Sequence, residues 1–181
     1  MKELDTKRLK LRYLKGGDYV SLYDAWSDDE VTKFLAFDTY ESIEEAKERV
    51  GIWLDRYKDE KCYRWIIERK DDGELFGVID VVNFDGDGIP HIGYLSRRRL
   101  WGNGYMTEAL GAVTEYLFSE GYPSVIVEAV RENAGSNRVI QKNGYTFFGN
   151  RNIEYHKKIG VVKHVVNSYR KDREEGRDVS R

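Results

Sequence analysis

The chain has 181 residues, 40% of them hydrophobic and 34% charged, which suits one folded domain with its own core and excludes a disordered segment. A formal net charge of −2 argues against a general nucleic-acid binder, and the single cysteine, Cys62, excludes an internal disulfide and a cysteine-based metal site. Neither a signal segment nor an apolar run of membrane-spanning length is read in it, so the expected place is the cytoplasm.

Residues 8–14 alternate apolar and polar and predict a half-buried strand. Gly16 and Gly17 break it, and Asp18 is placed to cap a short helix running to about Trp26. Ser27 and Asp28 open another helical turn towards Phe34. Ser42 and Glu45 match a capping box, ahead of a helix with Ile43, Ala46, Val50, Trp53 and Tyr57 on one face. Residues 62–68 read as a strand, Lys70 to Gly73 as a hairpin turn, and Leu75 to Val82 as a central strand covered on both sides. A second turn, Asp85 to Gly88, returns the chain along 89–95.

The amphipathic helix that follows carries Met106, Ala109, Leu110, Val113 and Leu117 on one face and ends at Glu120, with Gly121 as its left-handed cap. Ser124 to Val130 is the next strand, and Asn133 caps a helix to about Lys142. Two strands, 145–154 and 161–169, close the pattern around a turn near Lys158 to Gly160. The expected class is α+β, mixed α/β in content: one mostly antiparallel twisted sheet of about seven strands with about four helices. One domain spans 1–170, and 171–181 is expected to be a charged, frayed tail.

Between strand 89–95 and its helix lies Arg97-Arg98-Arg99-Leu100-Trp101-Gly102-Asn103-Gly104-Tyr105, a basic turn with two glycines at a helix start. Glycines let consecutive backbone N–H groups converge, and the helix start adds unpaired donors and a positive dipole end. A phosphate or pyrophosphate is the natural guest; an ordinary glycine turn with a solvated basic edge is the plain alternative. The spacing is not a dinucleotide fingerprint, because Thr107 stands where a third small residue is needed and no repeated βαβ units exist.

A second group follows about thirty residues later: Asn133, Ser136, Val139, Gly144 and Tyr145. Together the two groups resemble the GNAT superfamily of acetyl-CoA-dependent N-acetyltransferases, over roughly residues 5–170. Arg99 to Gly104 is similar to that superfamily's Gln/Arg-x-x-Gly-x-Gly/Ala loop at every defined position, and Gly104 to Ala109 with Asn133-x-x-Ser136 looks like its RimJ/RimL-like branch. The resemblance implies a GNAT fold whose strands 89–95 and 124–130 splay apart. It implies acetyl-CoA as cosubstrate, with no metal, held by Tyr94, Leu95, Arg99, Leu100, Trp101, Gly102, Asn103, Gly104, Tyr105, Asn133 and Ser136. A backbone N–H near Leu95 would take the thioester oxygen. The activity implied is direct acetyl transfer to a primary amine, a protein N-terminus or a small amine, by a monomer or homodimer without nucleic acid or membrane. The rival is an acyl-CoA-binding sensor that does not turn over.

Many relatives place a tyrosine seven residues after the motif asparagine; here that position is Ile140, and Ser136 is the implied partner of the CoA sulfur. Its other reading is a second helix-cap residue. Glu128, an acid in an apolar strand, and His91, in the strand leading to the loop, are the candidate bases. Cys62 reads as core or surface. The acids Asp24, Asp28, Asp29, Glu30, Asp38, Glu41, Glu44 and Glu45 suggest a surface that draws a cationic acceptor, unless helix starts account for them.

Overall fold

Strand residues facing alternate sides build two cores: Trp65 and Ile67 join one cluster while Ile66, between them, joins the other. The computed structural model describes residues 1–58 and 62–174. Its elements are β1 (Leu4–Asp5), β2 (Leu9–Arg12), α1 (Tyr19–Trp26), α2 (Asp29–Thr32), α3 (Ile43–Arg56), β3 (Arg64–Arg69), β4 (Leu75–Phe84), β5 (Pro90–Ser96), α4 (Tyr105–Ser119), β6 (Ser124–Val130), α5 (Ala134–Lys142), β7 (Thr146–Lys157) and β8 (Gly160–Asp172). They form one eight-stranded sheet in the order β1-β2-β3-β4-β5-β6-β8-β7. Every pairing is antiparallel except β5 with β6, which is parallel.

The eighth strand is β1, too short to carry a periodic signal; it pairs Leu4 with Leu11 and Asp5 with Lys10. Helix α4 packs on one side of the sheet, burying Ala109, Leu110, Val113 and Leu117 completely against Leu9, Trp65, Ile79 and Val127. Each such leucine contributes roughly 1.5–3 kcal/mol by leaving water. Helices α1 and α3 cover the other side through Leu22, Trp26, Ala46 and Val50.

Several local expectations hold. Asn133 caps α5 by accepting from Ser136 N–H at 3.0 Å, and Asp28 caps α2 by accepting from Glu30 N–H at 2.9 Å. Gly121 adopts φ +97° past α4. Asp18 does not cap α1. Its carboxylate instead takes two bonds from the buried Arg12 guanidinium, at 2.8 and 2.9 Å, and one from Lys15 N–H at 2.7 Å. The chain's last described strand also outruns its expected end. Lys171 and Asp172 pair with Val125 and Ser124 and so belong to the sheet rather than a frayed tail, while residues 175–181 lie outside the described residues.

Candidate active site

Beyond β5 the chain makes a single 3-10 turn over Arg98–Leu100 and reaches α4 through Gly102 and Gly104, at φ +82° and +75°. Only glycine takes those angles without strain. A Cβ added at Gly102 meets nothing within 4 Å, so the requirement there is backbone angle and the space over the loop is open. The first backbone bond of α4 runs from Glu108 N–H to Gly104 O at 3.1 Å, which leaves the N–H groups of Tyr105, Met106 and Thr107 without intrahelical acceptors. Trp101 Nε1 donates to Ser96 Oγ at 3.0 Å, and Asn103 Nδ2 donates to Leu100 O at 3.1 Å, folding the loop on itself. These residues fit an anionic group such as the pyrophosphate of coenzyme A.

The loop is braced from the first hairpin. Arg8 lies over the Tyr105 ring at 4.6 Å and donates to Asn103 O at 2.8 Å and to Glu108 at 2.6 Å. Thr6 Oγ1 donates to the same carboxylate at 2.6 Å. Burial pulls the Glu108 carboxyl upwards, but the bonds from Thr6 and Arg8 outweigh it and hold Glu108 below the usual range. Sequence reading missed this brace, because Arg8 and Glu108 are a hundred residues apart.

The basic run is not the free cationic edge it resembles. Arg97 pairs with Asp24 at 2.7 Å and Glu74 at 3.1 Å, Arg98 with Asp28 at 2.7 Å, and Arg99 with Glu74. Backbone N–H groups, not guanidiniums, therefore dominate what the loop offers an anion. The same contacts correct the reading of the acidic surface. Asp24 and Asp28 are held by those arginines, Glu30 pairs with Lys33, and Asp29 accepts from Thr39.

Strands β5 and β6 pair only at His91 with Ile126 and Ile92 with Val127, and then part. Tyr94 and Leu95 lie on the unpaired stretch. The gap opens into a cleft of about 550 Å³, lined by Gly93, Tyr94, Glu128, Ala129, Asn133 and Ser136 from the splay and by Phe34, Leu35, Arg151, Ile153 and Tyr155 opposite. Tyr94 O–H and Ser136 Oγ are 2.9 Å apart, and Tyr94 also donates to Ser136 O at 3.3 Å. The phenol of Tyr94 was not anticipated as a polar group of the cleft. Ile140 is completely buried in the core and is not among the cleft-lining residues.

Glu128 does reach the cleft, but in company. Arg151 Nη2 and Nε donate to it at 2.6 and 3.1 Å, and Ser168 Oγ donates at 2.7 Å. Burial raises its carboxyl, yet the Arg151 and Ser168 bonds prevail and the group sits below the ordinary range. A carboxylate held this way is charged throughout the neutral range and is a weak proton acceptor. His91 does not line the cleft; its Nε2 is buried without a hydrogen bond, 3.9 Å from Asp85 Oδ2. Arg151 and Ser168 carry no motif, and only the β6-β8-β7 strand order brings them to Glu128.

One wall is tied shut. Lys157 Nζ donates to Thr32 O at 3.0 Å, Lys158 N–H to Asp38 at 3.0 Å, and Lys158 Nζ pairs with Glu41 at 2.6 Å. The β7–β8 turn is thereby fastened to the segment after α2. Cys62 is partly buried just before β3, away from the cleft-lining residues. No described helix is long and apolar enough to cross a membrane, and no cluster of three metal-binding side chains occurs among the described residues.

Residues 8–146 match the family model described as an acetyltransferase (GNAT) domain. The uncharacterized N-acetyltransferase YoaA of Bacillus subtilis (strain 168) is 33% identical over 147 residues, covering 78% of this chain and 81% of that protein. Among solved structures, RimL, a ribosomal L7/L12 alpha-N-protein acetyltransferase in complex with coenzyme A, superposes with a TM-score of 0.79 at 19% identity, covering 94% of this chain and 98% of that one. The microcin C7 self-immunity acetyltransferase MccE, in complex with acetyl-CoA and AMP, gives 0.79 at 18% identity, covering 93% and 94%. Loop, splay and cleft thus stand in a chain whose relatives are N-acetyltransferases, and it belongs to the GNAT acetyltransferase family.

Proposed function

We propose that the chain transfers an acetyl group from acetyl-CoA directly to a primary amine, either a protein N-terminus or a small amine, in the manner of the RimJ/RimL-like branch and in the cytoplasm. The observation that carries this reading is the parting of β5 from β6 immediately beyond Ile92, which opens the cleft beside Ser136. In this reading Gly102, Asn103, Gly104 and the first turn of α4 hold the pyrophosphate. The exposed backbone of Tyr94 and Leu95 takes the extended pantetheine as a strand would be taken, and an N–H near Leu95 polarises the thioester oxygen. Coenzyme A supplies the activated acetyl group; the chain binds, orients and excludes water.

The tied wall supports a slender acceptor. With Lys157 and Lys158 fastened to Thr32, Asp38 and Glu41, the apolar pair Phe34 and Leu35 faces Ile153 and Tyr155 across the cleft. A chain end or a small amine enters such a space more readily than a lysine within a folded surface. Glu128, engaged by Arg151 and Ser168, is poorly placed to act as the base. An α-amine loses its proton near pH 8, so it needs little help.

The test is release of free CoA thiol on incubation with N-terminal peptides, polyamines and aminosugars. Turnover with α-amines or small amines, rising from about pH 6 to 8, is the expected result. Equal turnover of internal lysine peptides with blocked N-termini would overturn the acceptor class. Tight acetyl-CoA binding without thiol release from any amine would favour the sensor instead.

A further inference from the structure

We infer that Tyr94 is a positioning residue, whose phenol donates to Ser136 and thereby leaves the Ser136 hydroxyl proton free to point at the departing sulfur. This rests on acetyl-CoA occupying the splay between β5 and β6 as proposed above. Two hydroxyls 2.9 Å apart share one hydrogen bond, and its direction decides which proton is left over. Tyr94 O–H also lies 3.3 Å from Ser136 O, a carbonyl that can only accept. The phenol has one proton for these two acceptors; the Ser136 hydroxyl is the nearer, and of the two hydroxyls the phenol is the stronger acid and, its lone pair drawn into the ring, the weaker acceptor. Distance and acidity together favour donation from Tyr94 to Ser136 Oγ over donation to the carbonyl, which would reverse the bond between the hydroxyls.

The surroundings agree. Burial raises the Tyr94 phenol well above its usual range, so it remains a neutral donor at any working pH. Ser136 is held by its own backbone, since Asn133 Oδ1 accepts from Ser136 N–H at 3.0 Å and fixes the first turn of α5. Both side chains line the cleft.

The chemistry balances without moving either hydroxyl proton. The acceptor nitrogen bonds to the acetyl carbon, the carbon–sulfur bond breaks, and its electron pair leaves on sulfur. The nitrogen's proton passes to water. Ser136 O–H donates a hydrogen bond to the sulfur as negative charge builds there, and Tyr94 O–H donates to the Ser136 oxygen, strengthening that bond. Serine is far too weak an acid to protonate a thiolate outright, so a hydrogen bond is the role its chemistry allows.

The closing experiment reads the sulfur directly and needs no acceptor. Bound free coenzyme A is titrated by thiolate ultraviolet absorbance, with desulfo-coenzyme A as reference, in the wild type, Tyr94→Phe, Ser136→Ala and the double variant. The charged groups at the cleft, Glu128 on β6 and Arg151 and Glu154 on β7, are common to all four. The wild-type thiol should ionise at lower pH than free coenzyme A. Each single variant should return it towards the free value, weakening thiolate formation about fivefold for Tyr94→Phe, the worth of one ordinary hydrogen bond. In the double variant Tyr94→Phe should add nothing to Ser136→Ala, because it acts through that residue. An unchanged titration in Tyr94→Phe, or two effects that multiply, would overturn the inference. Failure of every form to bind coenzyme A would overturn the parent reading and this one with it. Intact binding with an unperturbed wild-type thiol removes this inference alone.

Discussion

Asn137 offers a sharp test of what holds α5, and with it Ser136, against the sheet. Its side chain is 8% exposed and makes four strong bonds. It donates to Val130 O at 2.9 Å and Asn133 O at 2.7 Å, and accepts from Tyr169 O–H at 2.7 Å and Asn167 Nδ2 at 3.0 Å. Leucine keeps the branched four-atom skeleton, so no cavity opens, but its bulkier methyls replace contacts of 2.7–3.0 Å and add about 1–3 kcal/mol of packing strain. Val130 O and Asn133 O each keep a backbone donor, from Asn133 and Asn137 N–H, so losing the side-chain donors costs only about 1 kcal/mol. The Tyr169 hydroxyl fares worse: its residue is 3% exposed, and stranding it costs about 1–3 kcal/mol. Asn137→Leu should therefore lose about 3–7 kcal/mol, read as a lower urea midpoint at unchanged slope. Tyr169→Phe removes the stranded group, so the double variant should recover about 1 kcal/mol relative to Asn137→Leu alone. If the two losses simply add, the stranded hydroxyl is not the cause and the reasoning is wrong.

Two further outcomes follow from the site. Gly104→Val forces a β-branched residue to φ +75°, at a backbone cost of about 1–2 kcal/mol, and narrows access to the N–H groups of α4. The melting-temperature rise given by acetyl-CoA should largely vanish, and an unchanged rise in a folded variant would remove the loop from the binding site. Glu128 is depressed below its ordinary range by Arg151 and Ser168, so its stabilising contribution is present above the unfolded carboxyl value and is lost as pH falls through the folded one. Glu128→Gln should accordingly lower stability at neutral pH more than in acid, while leaving the rate limb between about pH 6 and 8 where it was. A displaced limb would make Glu128 the base after all.

What could be read in the chain was whatever the backbone demands locally. Gly102 and Gly104 stand where φ is positive, Asn133 where an N-cap is needed, and Ile66 between Trp65 and Ile67 where a strand alternates. Each signal lies within a few residues of its effect. Tyr94 was placed in the cofactor site for its backbone, and its phenol went unread, because nothing local says that residue 94 faces residue 136. Arg151 and Ser168 were invisible for a topological reason. The last strand inserts between β6 and β7, so Ser168 sits directly beside Glu128 and Arg151 one strand beyond, an order the linear chain does not announce.

The same distinction explains why charge misled about what the arginines meet while the glycines marked a real backbone requirement. Arg97, Arg98 and Arg99 look like a phosphate-binding cluster, and eight acids near the N-terminal helices look like a cation-drawing surface. In the folded chain the arginines are answered by two of those acids and by Glu74 outside the set, with Arg97 and Arg99 on Asp24 and Glu74 and Arg98 on the Asp28 that caps α2, while Glu30 and Glu41 pair with Lys33 and Lys158. A guanidinium is long enough to find a carboxylate from almost any neighbouring element, so its sequence position says little about what it binds. A backbone N–H has no such reach. Its direction is set by its own φ and ψ, and a glycine that permits an unusual φ names the place where those groups must converge. An anion bound at this loop would therefore be met mainly by backbone N–H groups rather than by guanidiniums. The arginines around it fasten the loop to α1 through Asp24, to the cap of α2 through Asp28 and to the residue before β4 through Glu74, so the contacts that neutralise them also hold the loop in place.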